Sequence, residues 1–393
     1  MTIEPSFVPI SVRGRYFWRG DERFFVRGIV YQPRGDWQQG VINDPISDDR
    51  ILELEQNVVL FKELGINTVF IYSIDSAKQH DKAMKLLGEA GIYVVTGVST
   101  PSCCISRSTP YESYNTANVS SFLKTAGLMA RYTNTLGIVA ANSVVNHRDS
   151  LHATPVLKAV VRDLKKYLNF SNKSKRTRVL PVGYSPSSAV HINHSGFLEY
   201  LYFGDEENAI DFLALPNYGW AGVKSNMQIS GWNALINRYE KFAIPAFLSE
   251  YGVNTYQPRQ FHETKALYSD PMTRVFSGGC VYEFTDDPND FGLVAMPGAD
   301  EKRWFQEFRG NQGKVVEVRQ TNQGNLYIYH DFANYKAALA EPTDYDPSWD
   351  IMERQSAERY NTDTTQMTWP WDHEYQMPAT CIDWDNVEEL VGR

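Results

Sequence analysis

The feature that most limits the fold of this chain is a regular alternation of two sequence patterns, which extends from residue 24 to about residue 285. Short β-branched or aromatic runs alternate with longer stretches of helical periodicity, as in repeated βα units around a parallel sheet. Eight strands are predicted, at Phe24–Val30, Asn67–Tyr72, Ile92–Val95, Gly137–Ala141, Arg178–Val182, Asp211–Leu215, Ala246–Glu250 and Gly279–Phe284. The predicted helices between them include Ile51–Leu64, Asp81–Ala90, Ser120–Tyr132, Val156–Leu168 and Trp232–Lys241. This order predicts the α/β class and a (β/α)₈ TIM barrel.

A doubly wound parallel sheet is the alternative fold for such a pattern. That fold, when it binds a dinucleotide, carries a glycine-rich phosphate loop after its first strand. Here the corresponding stretch is Gly28-Ile29-Val30-Tyr31-Gln32-Pro33, which lacks the glycine spacing. The barrel is therefore the favoured architecture.

Four segments are expected along the chain. Residues 1–23 form a lead-in and residues 24–300 the barrel. Residues 301–340 supply a helix around Trp304–Arg309 and a strand pair, Lys314–Gln320 and Asn325–His330, which close the barrel's edge. Residues 341–393 form an acidic tail with four of the nine tryptophans (Trp349, Trp369, Trp371 and Trp384). The strand pair and the tail together make a short β and irregular C-terminal extension. We expect the tail to pack on the barrel, either as a surface wrap or as a lid over the cleft.

The net charge of −9 lies almost entirely in the tail. Residues 341–393 hold 13 acidic side chains against 3 Arg, which leaves 34 acids and 35 bases in the rest of the chain. Because neither part has a basic stripe, nucleic acid and anionic membrane surfaces are not expected partners. No apolar run is long enough to predict a membrane span, and no lipid anchor is expected.

Features that bear on the compartment point in two directions. The N-terminus has no basic segment followed by an apolar one, so no secretory signal is predicted. The cysteines fit neither a disulfide framework nor a zinc motif: Cys103, Cys104, Cys280 and Cys381. A reducing compartment, free thiols, no metal and no cofactor are therefore expected. Four glycosylation sequons argue for export instead, at Asn118, Asn169, Asn172 and Asn193.

The residues that end the predicted strands are polar and aromatic. In a (β/α)₈ barrel, functional groups lie at these carboxyl-terminal strand ends. The set comprises Tyr31, Gln32, Tyr72, Asp75, Asn142, Ser143, Tyr184, Asn217, Tyr218, Glu250, Tyr251, Tyr282 and Glu283. Rings that stack on apolar sugar faces, with amides that bind hydroxyls, predict a carbohydrate-type cleft.

Six stretches of the sequence, in order along the chain, resemble the motifs of a known protein family. They are Phe25-Val26-Arg27-Gly28-Ile29-Val30-Tyr31-Gln32-Pro33, Gly65-Ile66-Asn67-Thr68-Val69-Phe70-Ile71-Tyr72-Ser73-Ile74-Asp75, Val160-Val161-Arg162-Asp163, Pro181-Val182-Gly183-Tyr184-Ser185, Phe247-Leu248-Ser249-Glu250-Tyr251-Gly252 and Ser277-Gly278-Gly279-Cys280-Val281-Tyr282-Glu283-Phe284. Over roughly residues 20–335 the chain resembles the fungal β-1,3-glucanosyltransferases, retaining transglycosylases of glycoside hydrolase family 72. The resemblance implies the same barrel and a glucan cleft at its mouth.

That family uses two glutamates, and the resemblance assigns a position to each. The nucleophile corresponds to Glu250, whereas the acid/base position, which follows an Asn, falls on Ser143 after Asn142. A retaining mechanism needs both carboxyl groups. Because a serine hydroxyl does not supply a proton near neutral pH, ordinary glucan transfer is expected to be impaired. Glu283 is a weak substitute, because strand alternation places it opposite an inward-facing Tyr282.

Other departures from the family's pattern accompany this one. Phe70 stands where the family has an arginine near the nucleophile, so a buried Glu250 is expected to have a raised pKa. Gly97 replaces an acidic residue, Phe291 replaces a tyrosine, and Ala221 and Val253 replace cysteines. The substrate-binding set implied by the resemblance is Tyr31, Gln32, Tyr72, Asn142, Tyr218, Tyr282 and Phe291.

Three functions are compatible with these observations. The favoured hypothesis is a cytoplasmic protein, repurposed to act through Glu250 on a non-glucan small molecule such as a fungal secondary metabolite, by cyclisation, isomerisation or dehydration. A non-catalytic carbohydrate-binding descendant is the second hypothesis. The third is a residual β-1,3-glucan transglycosylase or hydrolase. The expected ligand is accordingly a small molecule or an oligosaccharide.

Overall fold

The N-terminal part of the chain forms a small antiparallel sheet. The computed structural model describes residues 7–33, 42–188, 196–296, 313–355 and 376–391. Its first strands, β1 (Ile10–Arg13), β2 (Tyr16–Arg19) and β3 (Glu22–Phe24), pair in that order. This sheet, which the sequence did not predict, inserts the Phe17 ring between the rings of Phe212 and Phe247, at centroid distances of 5.8 and 6.2 Å.

Eight parallel strands close into a barrel, so the predicted TIM barrel is confirmed. Each strand pairs with its neighbour in sequence, and the last pairs with the first. The strands are β4 (Val26–Val30), β5 (Thr68–Ile71), β6 (Tyr93–Gly97), β7 (Thr135–Asn142), β8 (Val182–Ser185), β9 (Phe212–Pro216), β10 (Ala246–Tyr251) and β11 (Phe276–Val281). Their carboxyl-terminal ends meet at one mouth.

Helices surround the barrel. The helix predicted at Ile51–Leu64 has the predicted bounds, whereas the one predicted at Val156–Leu168 extends to Lys175. Among the described residues before 297, the α-helices are α1 (Ile51–Leu64), α2 (Asp81–Glu89), α3 (Pro110–Ser113), α4 (Thr116–Met129), α5 (Thr154–Lys175), α6 (Phe197–Tyr202), α7 (Trp232–Tyr239), α8 (His262–Leu267) and α9 (Met272–Val275). Helix α1 ends at Gly65, whose φ of 75° lets its N–H bond back to the carbonyls of Phe61 and Lys62. Glycine adopts this left-handed backbone conformation at little cost in free energy, because it has no Cβ atom.

The barrel has a separate interior core. Side chains that point inward from different strands, such as Val30, Phe70, Val139, Phe247 and Cys280, pack together with almost no exposure. Each buried aromatic or aliphatic side chain of this kind stabilises the fold by roughly 1.5–3 kcal/mol. The interior is therefore filled with apolar side chains up to the level of the mouth.

Two predicted strands are displaced along the chain. Strand β8 begins at Val182 rather than Arg178, because Pro181 has no N–H for a ladder. The Arg178 guanidinium is used instead as a donor to the carbonyls of Thr133 and Ile10. Strand β11 begins three residues before the predicted Gly279 and ends at Val281.

The strand pair near the C-terminus also forms. Strands β13 (Val315–Thr321) and β14 (Gly324–Tyr329) make an antiparallel hairpin, and the short β12 (Val294–Ala295) pairs with β14. Helix α10 (His330–Ala340) follows directly and packs against α1 and α8. The helix predicted around Trp304–Arg309 lies outside the described residues.

The described parts of the tail pack against the outside of the barrel. In α11 (Ser348–Gln355), Glu353 accepts hydrogen bonds from the backbone N–H and Nε of Arg15, at 2.8 and 3.1 Å. Residues 376–391, which include α12 (Val387–Val391), lie on α4 and α5, where Lys166 Nζ is 4.3 Å from the centre of the Trp384 ring. Trp369 and Trp371 lie outside the described residues.

Candidate active site

Glu250 lies near the end of β10, with its carboxylate between two tyrosines. Tyr72, which follows β5, donates its hydroxyl hydrogen to Oε1 at 2.5 Å. Tyr218, which follows β9, donates to Oε2 at 2.9 Å. The structure thus brings together three residues that the sequence proposed for the mouth, and it fixes the orientation of the carboxylate from both sides.

The electrostatic environment of Glu250 favours the protonated carboxyl group more than water does. Burial raises its pKa, and the hydrogen bonds from Tyr72 and Tyr218 only partly oppose that rise. Among the described residues, no arginine or lysine forms an ion pair with this carboxylate. At the position where the resemblance places an arginine in the family, the Phe70 ring packs edge-on against Tyr72, at a centroid distance of 5.5 Å.

An aromatic wall stands beside Glu250. The rings of Tyr218, Tyr282 and Phe291 contact one another edge to face, with centroid distances from 5.1 to 6.3 Å. All three side chains are partly exposed at the mouth. Such mutual contacts fix the ring planes, so the wall presents a preformed apolar surface to a ligand.

Ser143 immediately follows β7 and has a left-handed backbone, with a φ of 53°. Its Oγ donates to Oδ1 of Asn142 at 2.9 Å, and its N–H donates to the carbonyl of Ser185 at 2.8 Å. Arg107, which no sequence motif indicated, donates to the Ser143 carbonyl at 3.2 Å. The end of β7 therefore presents an amide and a hydroxyl, and neither Asn142 nor Ser143 supplies a carboxyl group.

Tyr31 and Gln32 do not line the cleft as the substrate-binding set required. Because Val30 points into the barrel, alternation turns Tyr31 outward, where it is buried and accepts a hydrogen bond from Asn57. Gln32 is also buried, and its amide binds the Ser73 N–H and the Asn43 carbonyl. Both residues therefore support the structure from below the mouth.

Glu283 does not follow the predicted alternation either. Strand β11 ends two residues earlier, and the Glu283 carboxylate accepts from Asn289 Nδ2 at 2.8 Å. The same Asn289 nitrogen donates to the Tyr282 hydroxyl at 3.1 Å, so both groups share one partner instead of facing opposite sides. Burial raises the pKa of Glu283 to about 7, and Glu250 adds to the rise. Asn289 was missed because it lies on an irregular loop without periodicity.

Gly97, at the end of β6, lies directly against another strand. A Cβ atom added at this position would lie 2.4 Å from the Tyr72 carbonyl oxygen. In this backbone the position has no room for the acidic side chain that the resemblance implied. The absence of a side chain at 97 and the position of Tyr72 are thus linked by packing.

Tyr218 also lines a cavity whose walls do not include Glu250. The cavity, of about 420 Å³, lies between the end of β9 and α7, and its lining includes Asn217, Ser230, Arg238 and Tyr239. This volume is in the range of small-molecule sites. Within the described ranges, no group of three or more His, Cys, Asp or Glu side chains is arranged to bind a metal ion, and no helix is long and apolar enough to span a bilayer.

A family model described as "Glucanosyltransferase", for glycoside hydrolase family 72, matches residues 1–319 of the chain. The 1,3-beta-glucanosyltransferase gel1 of Aspergillus fumigatus is 40% identical over 294 residues, which are 75% of this chain and 62% of gel1. The 1,3-beta-glucanosyltransferase GAS5 of Saccharomyces cerevisiae is 39% identical over 313 residues, 79% of this chain and 62% of that protein. The chain thus spans less than two thirds of the length of these relatives.

A solved structure supports the same assignment. Gas2p of Saccharomyces cerevisiae, in complex with laminaritriose and laminaritetraose, superimposes with a TM-score of 0.77 at 28% sequence identity. The alignment covers 96% of this chain and 79% of the Gas2p chain. Similarity at this level extends over the barrel and its surroundings rather than over isolated motifs.

These relatives overturn two expectations drawn from the sequence. Activity on a non-glucan small molecule is the wrong prediction, because relatives about 40% identical over three quarters of the chain are named 1,3-beta-glucanosyltransferases. The expected cytoplasmic location is contradicted by the same relatives. Because the family model matches more than half of the chain, the chain belongs to the glucanosyltransferase family, glycoside hydrolase family 72.

Proposed function

We propose that this protein binds β-1,3-glucan at the barrel mouth and remodels it through Glu250, at a rate limited by the missing carboxyl group at Ser143. The observation that carries the proposal is the Glu250 carboxylate, which Tyr72 and Tyr218 orient at the end of β10. Family membership and the laminari-oligosaccharides bound to Gas2p supply the substrate class.

The surroundings of Glu250 suit a sugar chain. The wall of Tyr218, Tyr282 and Phe291 offers ring faces and edges for the apolar faces of glucose units. The Asn142 amide, at the end of β7, can bind hydroxyl groups. An apolar wall with a few oriented polar groups is the common composition of a ligand cleft.

The first chemical step assigned to this site is displacement at an anomeric carbon. An oxygen of ionised Glu250 bonds to that carbon, the bond to the leaving sugar oxygen breaks, and a glycosyl-enzyme ester forms. The two phenols, which donate to the carboxylate, stabilise the ionised form that this attack requires. A second sugar hydroxyl or water then releases the ester.

The second carboxyl group normally gives a proton to the leaving oxygen and later removes one from the acceptor. Ser143 has no transferable proton near neutral pH, so no group at the end of β7 protonates the leaving oxygen. General acid–base assistance contributes about 10²–10⁴-fold, and we expect transfer to be slower by a factor in that range.

Binding and turnover are tested separately. Laminaripentaose binding is measured by calorimetry, with cellopentaose and maltopentaose as controls for linkage. Turnover is measured with a β-laminarioside whose dinitrophenolate leaving group needs no proton. We expect selective binding of laminaripentaose and turnover that Glu250→Gln abolishes.

Added azide provides a further check on the covalent intermediate. Azide attacks a glycosyl-enzyme ester without a general base, so a β-glycosyl azide is the expected product. Failure to bind laminaripentaose would overturn the proposal. If the protein binds laminaripentaose but does not turn over the activated donor, it is a carbohydrate-binding protein without the catalytic role proposed for Glu250.

A further inference from the structure

We infer that Arg259 is a positioning residue for the carbohydrate cleft, and that it makes the shape of the cleft depend on helix α10. Arg259 lies after β10 and is only 2% exposed. It does not itself reach the mouth. Its contacts nevertheless join the three backbone segments that support the aromatic wall and Glu250.

Three of these contacts are with backbone carbonyls around the mouth. Nη1 donates to the Tyr282 carbonyl at 2.6 Å and more weakly to Gly252 at 3.4 Å, two residues after Glu250. Nη2 donates to the Phe291 carbonyl at 2.5 Å. One planar guanidinium therefore fixes the separation of the two chain segments from which Tyr282 and Phe291 project.

The other side of the guanidinium is bound to α10. Asp331, in the first turn of that helix and 4% exposed, accepts from the Arg259 backbone N–H at 2.9 Å and from Nε at 2.5 Å. Asn334, one turn later, donates to the Arg259 carbonyl at 2.7 Å. The position of Arg259 relative to α10 is thus fixed by hydrogen bonds from its side chain, its backbone N–H and its backbone carbonyl.

Helix α10 begins at His330, whereas the family model matches only residues 1–319. The segment that determines the position of Arg259 therefore lies beyond the matched region. A cleft wall within the barrel acquires its geometry from a helix that follows the β13–β14 hairpin in sequence.

The charge balance explains why the arrangement is sensitive to substitution. Asp331 and Arg259 are both removed from water, and each satisfies the other's charge. Removing one partner leaves an uncompensated buried charge, which is far costlier than loss of an exposed ion pair. The carbonyls of Tyr282 and Phe291 would lose their donors at the same time.

The test compares Arg259→Gln, Arg259→Lys and Asp331→Asn with Lys165→Gln. The last variant breaks another buried ion pair, in which Lys165 Nζ lies 2.8 Å from Oδ1 of Asp211 near the opposite end of the barrel. Two quantities are measured on folded protein: amide hydrogen exchange at residues 252–254 and 282–293, and the dissociation constant for laminaripentaose.

For Arg259→Gln and Asp331→Asn we expect exchange in those two segments to accelerate at least tenfold, and laminaripentaose to bind about tenfold or more weakly. Arg259→Lys retains the charge but has no planar guanidinium. Its exchange rates and its dissociation constant should therefore lie between those of the other two variants and those of wild type. Lys165→Gln should leave both quantities at the wild-type level even where it lowers the melting temperature.

The binding readout rests on the proposed function, but the exchange readout does not. If wild-type protein fails to bind laminaripentaose while the exchange pattern follows the expectation, the proposed function fails and the positioning role stands. Wild-type exchange at 282–293 in both Arg259→Gln and Asp331→Asn would overturn the positioning role. An equal acceleration in Lys165→Gln would also overturn it, because the effect would then be one of general stability.

Discussion

The hydroxyl of Tyr72 donates a 2.5 Å hydrogen bond to Oε1 of Glu250, from a residue that is 178 positions away in sequence. Burial raises the pKa of both groups, and the carboxylate raises that of the phenol further. Tyr72 therefore holds its proton more strongly than a phenol in water, and its hydrogen bond stabilises the ionised carboxylate. In the proposed reaction, the pH at which Glu250 can attack the sugar depends directly on this contact.

Tyr72→Phe should raise the pKa of Glu250, because the ionised carboxylate loses a donor while its burial persists. A hydrogen bond to a charged group contributes about 1.5–3 kcal/mol, which corresponds to a shift of about one to two pH units. The acid limb of kcat/KM for an activated laminarioside should move to higher pH by that amount. Tyr251→Phe is the matched control, because its hydroxyl contacts Thr264 and not Glu250. An unchanged acid limb in Tyr72→Phe would contradict the proposed nucleophile.

Ser143→Glu should increase transfer between laminari-oligosaccharides by about 10²–10⁴-fold, because it supplies the second carboxyl group. Chromatography of the products from unactivated donor measures the gain. The gain should be much smaller for the dinitrophenyl donor, whose leaving group needs no proton. Ser143→Ala is the control and should match wild type. Equal rates for Ser143→Glu and wild type on both donors would show that the missing carboxyl group at position 143 does not limit the rate of transfer.

Glu263 should make the protein less stable as the pH rises from about 4.5 to about 7. Burial raises the pKa of this carboxyl group from 4.5 to about 7 in the folded state. Between those values the unfolded chain has lost the proton and the folded chain still holds it, so unfolding becomes easier with increasing pH. The loss is complete above pH 7 and amounts to roughly 3 kcal/mol.

Denaturant unfolding of Glu263→Gln across this pH range measures the effect. The variant should lose a large part of the slope, although a part remains because the pKa of Glu283 is also raised to about 7. Glu55→Gln, at an exposed position on α1, serves as the control and should retain the wild-type slope. If the free energy of unfolding of Glu263→Gln falls with pH as steeply as that of wild type, Glu263 is not the source of the pH dependence.

All four cysteines should titrate as free thiols in denatured, unreduced protein, because none is paired in the structure. In the folded protein Cys104 is exposed and should react within the first minutes, whereas Cys280 is fully buried in the barrel interior. Burial also raises the pKa of Cys280, which lowers its thiolate fraction further. Fewer than four thiols in freshly denatured protein, or a Cys280 that reacts as fast as Cys104, would contradict this expectation.

Sequence periodicity was sufficient for the barrel and for the residues whose side chains follow it. Helix α1 occupies the predicted Ile51–Leu64, and Tyr72, Tyr218 and Glu250 meet because each follows or ends a barrel strand. The structure places Tyr31 outside the cleft to which the sequence assigned it. Val30 is an inward-facing strand residue, and the next side chain must then point outward.

Other parts of the site could not have been obtained from periodicity. Arg259 acts through carbonyl groups of three separate segments, and a carbonyl group has no sequence signature. Asn289 and Glu283 lie beyond the end of β11, where alternation no longer applies. Whether Glu250 lies near a carboxyl group or a cation depends on tertiary contacts, which only the folded chain determines.

The apolar filling of the barrel also determines the direction from which molecules can approach Glu250. Below the carboxylate, Phe70, Phe247 and Cys280 leave no polar route through the interior, and Phe17 occupies the far end. In the proposed reaction, every competitor for a glycosyl group on Glu250, whether water or a sugar hydroxyl, must therefore arrive through the same opening. An acceptor chain seated in that opening would exclude water by its bulk alone, so the partition between transfer and hydrolysis would follow the occupancy of the mouth.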